Sequence, residues 1–275
     1  MTRIPRRHPR YRSLVTRARL AEASRSRLVV PEGLIAQGRG EAFDYFLGER
    51  STRSARAAEL VAARWLLAAR RPVLSVNGNV AALAAPEVRA LQRARPGLGV
   101  EVNLFHWTAE RARAVARALA RAGVRDVLGV HPTARIPSLS SDRGRADRAG
   151  IWRADLCVIP LEDGDRALAL RRMGKRVISI DLNPLSRTSE VAHLPIVDEL
   201  TRALTEITRQ LRSTRDPPPI GGFEPVDRRA LLADARREMA ERLTRGPRRA
   251  PGPSRVRRSG RRPAPGSARR TRRTP

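Results

Sequence analysis

The chain of 275 residues is long enough for one sizeable core, and an apolar share of 41% is ordinary for a globular protein. Its formal net charge of +29 is unusual, and of the 56 basic residues Lys175 is the only lysine. No apolar run approaches the roughly 18 residues of a membrane span, and a single cysteine excludes an intramolecular disulfide.

The Arg-rich N-terminus, residues 1–13, lacks the apolar segment of a secretory signal and is read as mature sequence. Helical periodicity dominates the first seventy residues, with helices expected over 11–25, 33–47 and 54–69. After Pro72 short β-rich runs alternate with helical ones. The runs are 73–77 followed by a helix through Arg93, 100–105 followed by a helix over 109–122, and then 126–130. Next come 155–160 with a helix over 164–173, then 177–181, and finally 195–198 with a helix to Leu211. Strand, helix, strand in this rhythm predicts an α/β fold: a mostly parallel sheet with helices on both faces, behind a helical N-terminal region. Cys157 lies inside the strand DLCVIP with no histidine nearby, so it reads as a buried structural thiol.

Asp216-Pro-Pro-Pro and Gly221-Gly222 then break the chain. The expected organisation is a domain over 1–212 (helical 1–70, α/β core 71–212), a linker with one charged helix over 213–245, and a tail over 246–275. That tail holds eleven arginines, no acidic residue and many Pro and Gly, a disordered composition. Two readings of the charge stand. Such a field attracts polyanions, nucleic acid included. Alternatively the arginines are solvated helix faces, which the amphipathic spacing of Arg111, Arg113, Arg117 and Arg121 favours for the folded part. For the tail, a weak nucleic-acid contact and an unselected extension both stand.

The richest segment is VISIDLNPLSRTS (177–189), where an apolar strand runs into a polar stretch holding Asp181, Asn183, Ser186, Arg187 and Thr188. Ligands of open α/β sheets bind beyond the carboxyl ends of the strands, and these side chains suit a phosphorylated, ribose-bearing molecule. An Asn-Pro turn capping the next element explains the same residues. SVNGNVAAL puts Asn77, Gly78 and Asn79 between a strand and a helix, where backbone N–H groups can cradle a phosphate; a tight structural turn is the competing account. LEDGDR offers Glu162, Asp163 and Asp165 after another strand, suited to Mg²⁺ or an ammonium group, or to N-capping by Asp163. His8, His106, His131 and His193 show no zinc spacing, and neither a G-x-x-x-x-G-K-[ST] loop nor a G-x-S-x-G elbow occurs.

Five further blocks flank that segment in order: IPRRHPRY (4–11), GLIAQGRGEAFDY (33–45), SVNGNVAAL (75–83), VEVNLF (100–105) and VIPLEDGDR (158–166). Together, over residues 4–212, the chain resembles the archaeal phosphopantothenate synthetases, or 4-phosphopantoate:β-alanine ligases, of coenzyme A biosynthesis. The resemblance implies a Rossmann-like, cytoplasmic, homodimeric enzyme that uses ATP and Mg²⁺ to join 4-phosphopantoate to β-alanine through an acyl-adenylate, releasing AMP and diphosphate. It implies ATP contacts at Arg17, Arg39, Asp181, Leu182, Asn183, Arg187, Thr188, Glu199 and Leu200, with Asn77, Gly78, Asn79, Glu162, Asp163 and Asp165 as substrate-binding candidates. No metal ligand is assigned. Two positions depart from the family: Glu199 stands where Asn is usual, and Gln37 replaces the His before GRG. Those departures keep open a degenerate ATP-binding paralogue, and the charge keeps open a basic nucleotide-fold module for RNA or DNA. The low aromatic content, 3%, weighs against single-strand stacking.

Overall fold

A computed structural model describes residues 4–245. Six parallel strands form one sheet in the order β3-β2-β1-β6-β7-β8. They are β1 (Pro72–Val76), β2 (Gly99–Val102), β3 (Val127–Leu128), β6 (Leu156–Pro160), β7 (Arg176–Ile180) and β8 (Leu194–Ile196). β1 and β6 are buried along their whole length, which is why they read as continuous apolar runs rather than alternating ones. Alternate residues still choose opposite faces. Leu74, Val76, Val158 and Ile178 join the core beneath α3 (Arg53–Ala68), α4 (Gly78–Ala94), α5 (Ala109–Arg121) and α8 (Leu200–Ser213). Val73, Cys157, Ile159 and Val177 join a second core with α6 (Gly164–Arg172) and residues 136–154. The expected doubly covered sheet is therefore present, and Cys157 is fully buried in it.

Helix boundaries follow local chemistry. α1 (Tyr11–Arg25) and α2 (Pro31–Leu47) precede the sheet; α2 opens on a proline and closes at Gly48, whose φ of 78° is left-handed. Thr52 caps α3, its hydroxyl accepting from the Ala55 N–H at 2.9 Å. α4 kinks at Ala84, two residues before Pro86, which cannot donate to the helix ladder. On α5, Arg113, Arg117 and Arg121 face solvent as expected, whereas the half-buried Arg111 turns back onto the His106 carbonyl. Lys175, the lone lysine, is a buried peg: its ammonium donates to the Trp152 and Ala154 carbonyls at 2.8 and 2.9 Å.

Three features were not anticipated. β4 (Ala134–Arg135) and β5 (Arg145–Ala146) pair antiparallel as a separate two-stranded sheet, and α7 (Arg187–Val191) begins inside the expected polar loop. The charged helix α9 (Arg228–Arg245) is no free appendage, since Leu232, Ala235 and Met239 form a third core with Leu47, Leu182 and Val197. The composition-based disorder of 246–275 lies outside the described residues.

Candidate active site

β1 passes to α4 on one face of the sheet and β6 passes to α6 on the other, so a crevice opens between the carboxyl ends of these neighbouring strands. Asn77 spans it. Its amide donates to the Leu161 carbonyl at 3.0 Å while its oxygen accepts from the Val80 N–H at 3.1 Å, capping α4. Asn79 donates to the Gly33 carbonyl at 2.8 Å and so fastens α2 to the same helix start. Gly78 is needed for packing, because a Cβ there would run into the Leu28 carbonyl. Both asparagine side chains are thus committed to structure, and only backbone groups of this turn remain for a phosphate.

The end of β6 carries strain and charge. Leu161 adopts a left-handed φ of 50°, uncommon for a residue with a Cβ. Glu162 is buried and ion-paired to Arg143 at 3.1 Å and Arg166 at 2.5 Å; Arg166 also donates to the Ser75 hydroxyl at 3.0 Å. Asp163 occupies the N-cap position of α6 without capping it, and pairs instead with Arg143 at 3.0 Å. Of the three acids in LEDGDR, only Asp165 is exposed and free of an ion pair among the described residues. No three His, Cys, Asp or Glu side chains converge as a metal cage among those residues.

Beyond β7, Asp181 accepts from the Asn183 N–H at 2.9 Å, and burial raises its pKa against the pull of that bond, of Ser186 and of Arg39. Ser186 caps α7, so Arg187 and Thr188 form its first turn rather than a loop. Thr188 donates to the Glu162 carbonyl, and Arg187 lies against Gly164, tying the ends of β6 and β7 together. Arg39 is exposed, in no ion pair among the described residues, and close enough to Asp181 to act on its charge. Leu182 is buried and reaches towards Gly40 of α2.

A groove of about 600 Å³ runs between α1, α2 and α8, and Arg17, Gln37, Leu182 and Glu199 all line it. Arg17 is half exposed and held by Glu41 at 2.9 Å. Burial pushes the Glu41 carboxyl up, but bonds from Ser13, Arg17 and Tyr45 outweigh it and leave its pKa lowered. Glu199 caps α8, accepting from the N–H groups of Thr201 at 3.0 Å and Arg202 at 3.1 Å, and Leu200 behind it is buried. The expected residues therefore sit in two adjoining places: the strand-end rim from Asn77 to Thr188, and the groove holding Arg17 and Glu199. A different cavity, with Trp65, Arg176 and His193 in its wall, opens at the amino edge of the sheet, where β7 begins.

Sequence reasoning missed Arg143, Arg166 and the group around Asp198. Arg166 had a signal, standing in the first turn of α6 four residues after Glu162, whereas Arg143 arrives from a 3-10 turn (Asp142–Gly144) that no periodicity announces.

The family profile described as phosphopantothenate/pantothenate synthetase matches residues 54–242. The chain belongs to that family. The chain is 49% identical over 240 residues to a protein of Methanospirillum hungatei named 4-phosphopantoate–beta-alanine ligase, covering 87% of this chain and 98% of the relative. Proteins of the same name from Thermococcus onnurineus (46% over 248 residues, 89% and 95% covered) and Methanosarcina mazei (46% over 246, 88% and 96%) are comparably similar. The profile match runs into α9, beyond residue 212 where the resemblance read from sequence stopped, in keeping with the packing of that helix on Leu47, Leu182 and Val197.

Proposed function

We propose that this protein is a 4-phosphopantoate:β-alanine ligase of coenzyme A biosynthesis, coupling the two substrates at the expense of ATP. The observation that carries the reading is 49% identity across 98% of a relative bearing that name. A carboxylate is a poor acyl donor. In the proposed course a 4-phosphopantoate carboxylate oxygen attacks the α-phosphorus of ATP, the bond to diphosphate breaks, and an acyl-adenylate results. The β-alanine amine then attacks the acyl carbon, AMP departs, and the amine loses its proton.

The chain's own contribution is to bind and orient. Arg39 and Arg187, exposed at the rim, suit phosphate oxygens, because a guanidinium binds them bidentately and stabilises the charge that builds on the leaving group. Arg17, oriented by Glu41, suits the same role from the groove. Asp181 suits the ribose hydroxyls, Asn183 the base or ribose, and Thr188, Leu182 and Leu200 hold the walls that carry them. The turn at Asn77, Gly78 and Asn79 offers backbone N–H groups to a phosphate at the start of α4. Glu199 uses its carboxylate as a helix cap, a task Asn performs equally well, so this departure is expected to leave ATP binding intact. Gln37 lines the groove but cannot become cationic, so no proton transfer is assigned to it.

Mg²⁺ would bind with the nucleotide phosphates and offset their charge; with Glu162 and Asp163 held by arginines, Asp165 is the acid left to assist it or to receive the β-alanine ammonium. A homodimer, the cytoplasm, and a weak nucleic-acid contact by residues 246–275 belong to the same proposal. Ile35, 68% exposed on α2, with Leu34, Tyr45 and Phe46, suits the dimer contact. The described residues contain no helix long and apolar enough to cross a membrane.

AMP release from purified protein with ATP and Mg²⁺ tests the reading, with 4-phosphopantoate and β-alanine added singly and together. AMP and phosphopantothenate formed only with both are expected. Folded protein that binds ATP and forms no AMP would make it a non-ligating paralogue.

A further inference from the structure

Glu59 stands on the inner face of α3 with none of its surface exposed, and neither carboxyl oxygen meets an N–H or O–H donor among the described residues. Its neighbour is another acid: Asp198, 1% exposed in the turn between β8 and α8, lies within hydrogen-bonding reach. Two adjacent buried carboxyls do not both ionise, because desolvation and like charge penalise the second anion. Which one keeps the proton follows from the donors. Asp198 accepts from the Glu199 N–H at 2.7 Å, from Arg202 at 2.9 Å and from the Ser51 hydroxyl at 2.5 Å. Glu59 has none of these, so the proton belongs to Glu59 and points at Asp198.

The surrounding charges agree. From α8, Arg202 faces the pair, but it is shared with Asp44 of α2 at 2.6 Å, and Glu206 of the same helix adds another negative charge. One guanidinium thus serves two carboxylates already, and a third anion would be uncompensated. Burial first, then Asp198, pushes the Glu59 pKa up to about 10.

We propose that Glu59, as a neutral acid, is a positioning residue: it donates to Asp198, which in turn fixes the Glu199–Arg202 turn that carries Glu199 and Leu200 to the nucleotide. The assignment rests on the proposed ligase reading, whose family resemblance implies ATP contacts at those two positions; with the Glu199 side chain capping α8 and Leu200 buried, the backbone of the turn is what they offer. Loss of the proton would put two anions side by side beneath the turn and loosen it, so nucleotide affinity should fall in alkaline solution while the amine site is spared.

The test uses the full chain as wild type, Glu59→Gln and Glu59→Ala. Gln can donate to Asp198 without titrating; Ala cannot donate. At pH 7.5 Glu59→Gln should keep KM for ATP within about twofold, and Glu59→Ala should raise it about tenfold, with KM for β-alanine within about twofold in both. Between pH 8 and 10 the wild-type KM for ATP should climb while that of Glu59→Gln stays flat; β-alanine deprotonation affects both alike. Without ligand at pH 7.5, amide exchange over residues 197–202 should quicken in Glu59→Ala and not in Glu59→Gln. An alkaline rise shared by Glu59→Gln, or a folded Glu59→Ala with wild-type KM and exchange, overturns the assignment. Should Glu59→Ala not fold, the pH comparison of Glu59→Gln with wild type decides. Absence of AMP formation by wild type would sink the ligase reading alone, leaving ATP binding and amide exchange to judge Glu59.

Discussion

Asn77 and Leu161 join the two halves of the sheet: the Asn77 amide at the end of β1 donates to the Leu161 carbonyl just past β6, 3.0 Å away. That carbonyl belongs to a residue in left-handed backbone, so the bond helps hold a strained turn directly ahead of the buried Glu162. Asn77→Asp separates the two jobs of this side chain, because a carboxylate still caps α4 but cannot donate and would face the carbonyl with like polarity. The variant should lose about 1–3 kcal/mol of stability in urea denaturation, together with ligase activity. Wild-type stability would show that the bond across the crevice contributes nothing.

Arg39 differs from most arginines of this chain in lying beside the half-buried Asp181 while making no ion pair among the described residues. If it clamps phosphate, Arg39→Ala should lose roughly 2–4 kcal/mol of transition-state stabilisation, read from kcat/KM. Arg39→Lys should recover part of it, since an ammonium keeps the charge but not the bidentate geometry. Unchanged kinetics in Arg39→Ala would remove this residue from the site.

Glu101, buried in β2, accepts from the Asp147 N–H at 3.0 Å and the Ile151 N–H at 2.6 Å, and burial pushes its pKa up to about 7. The folded value lies above the unfolded one, so the favourable contribution is full below about pH 4.5 and is lost as pH rises through about 7. Between pH 5 and 8 the loss amounts to roughly 2–3 kcal/mol. Glu101→Gln does not titrate and gives up one of two acceptors, so it should be less stable than wild type at pH 5 by more than at pH 8. Parallel stability curves for the two proteins across this range would contradict the assignment.

The sheet was legible because its strands are buried on both faces and stand out as apolar runs of five or so residues between helices of clear period. The rim was legible for the same reason, since in a parallel sheet the residues after each strand gather at one end. What stayed hidden has no period. β4 and β5 are two residues each, α7 is five, and Arg143 meets Glu162 only through tertiary folding. Glu59 did leave a trace, occupying the buried face of α3 with Ala55, Ala62 and Leu66, where a charged residue needs a reason to be. Its partner Asp198 comes from a distant turn, and spacing along the helix cannot reveal it.

α9 supplies a last test, because its inner face reaches the floor of the candidate site. Leu232, Ala235 and Met239 pack on Leu47, which ends α2, on Val197, which leads into Asp198, and on Leu182, which lies between Asp181 and Asn183. A chain ending after Leu211 loses all three contacts and exposes that floor, at a cost of several kcal/mol by the usual measure of buried aliphatic groups. It should unfold at lower urea concentration and lose ATP affinity even where it stays folded, since the backbone of residues 181–183 would be supported from one side only. A chain ending after Arg245 keeps α9 and the residues it touches, and should match the full-length protein in ATP affinity and turnover. Its net charge falls by eleven, so any binding to nucleic acid by residues 246–275 would disappear in this variant while ligase activity persisted. The two truncations therefore test whether α9 belongs to the enzyme and the basic segment does not, and loss of turnover without unfolding in the longer one would refute that division.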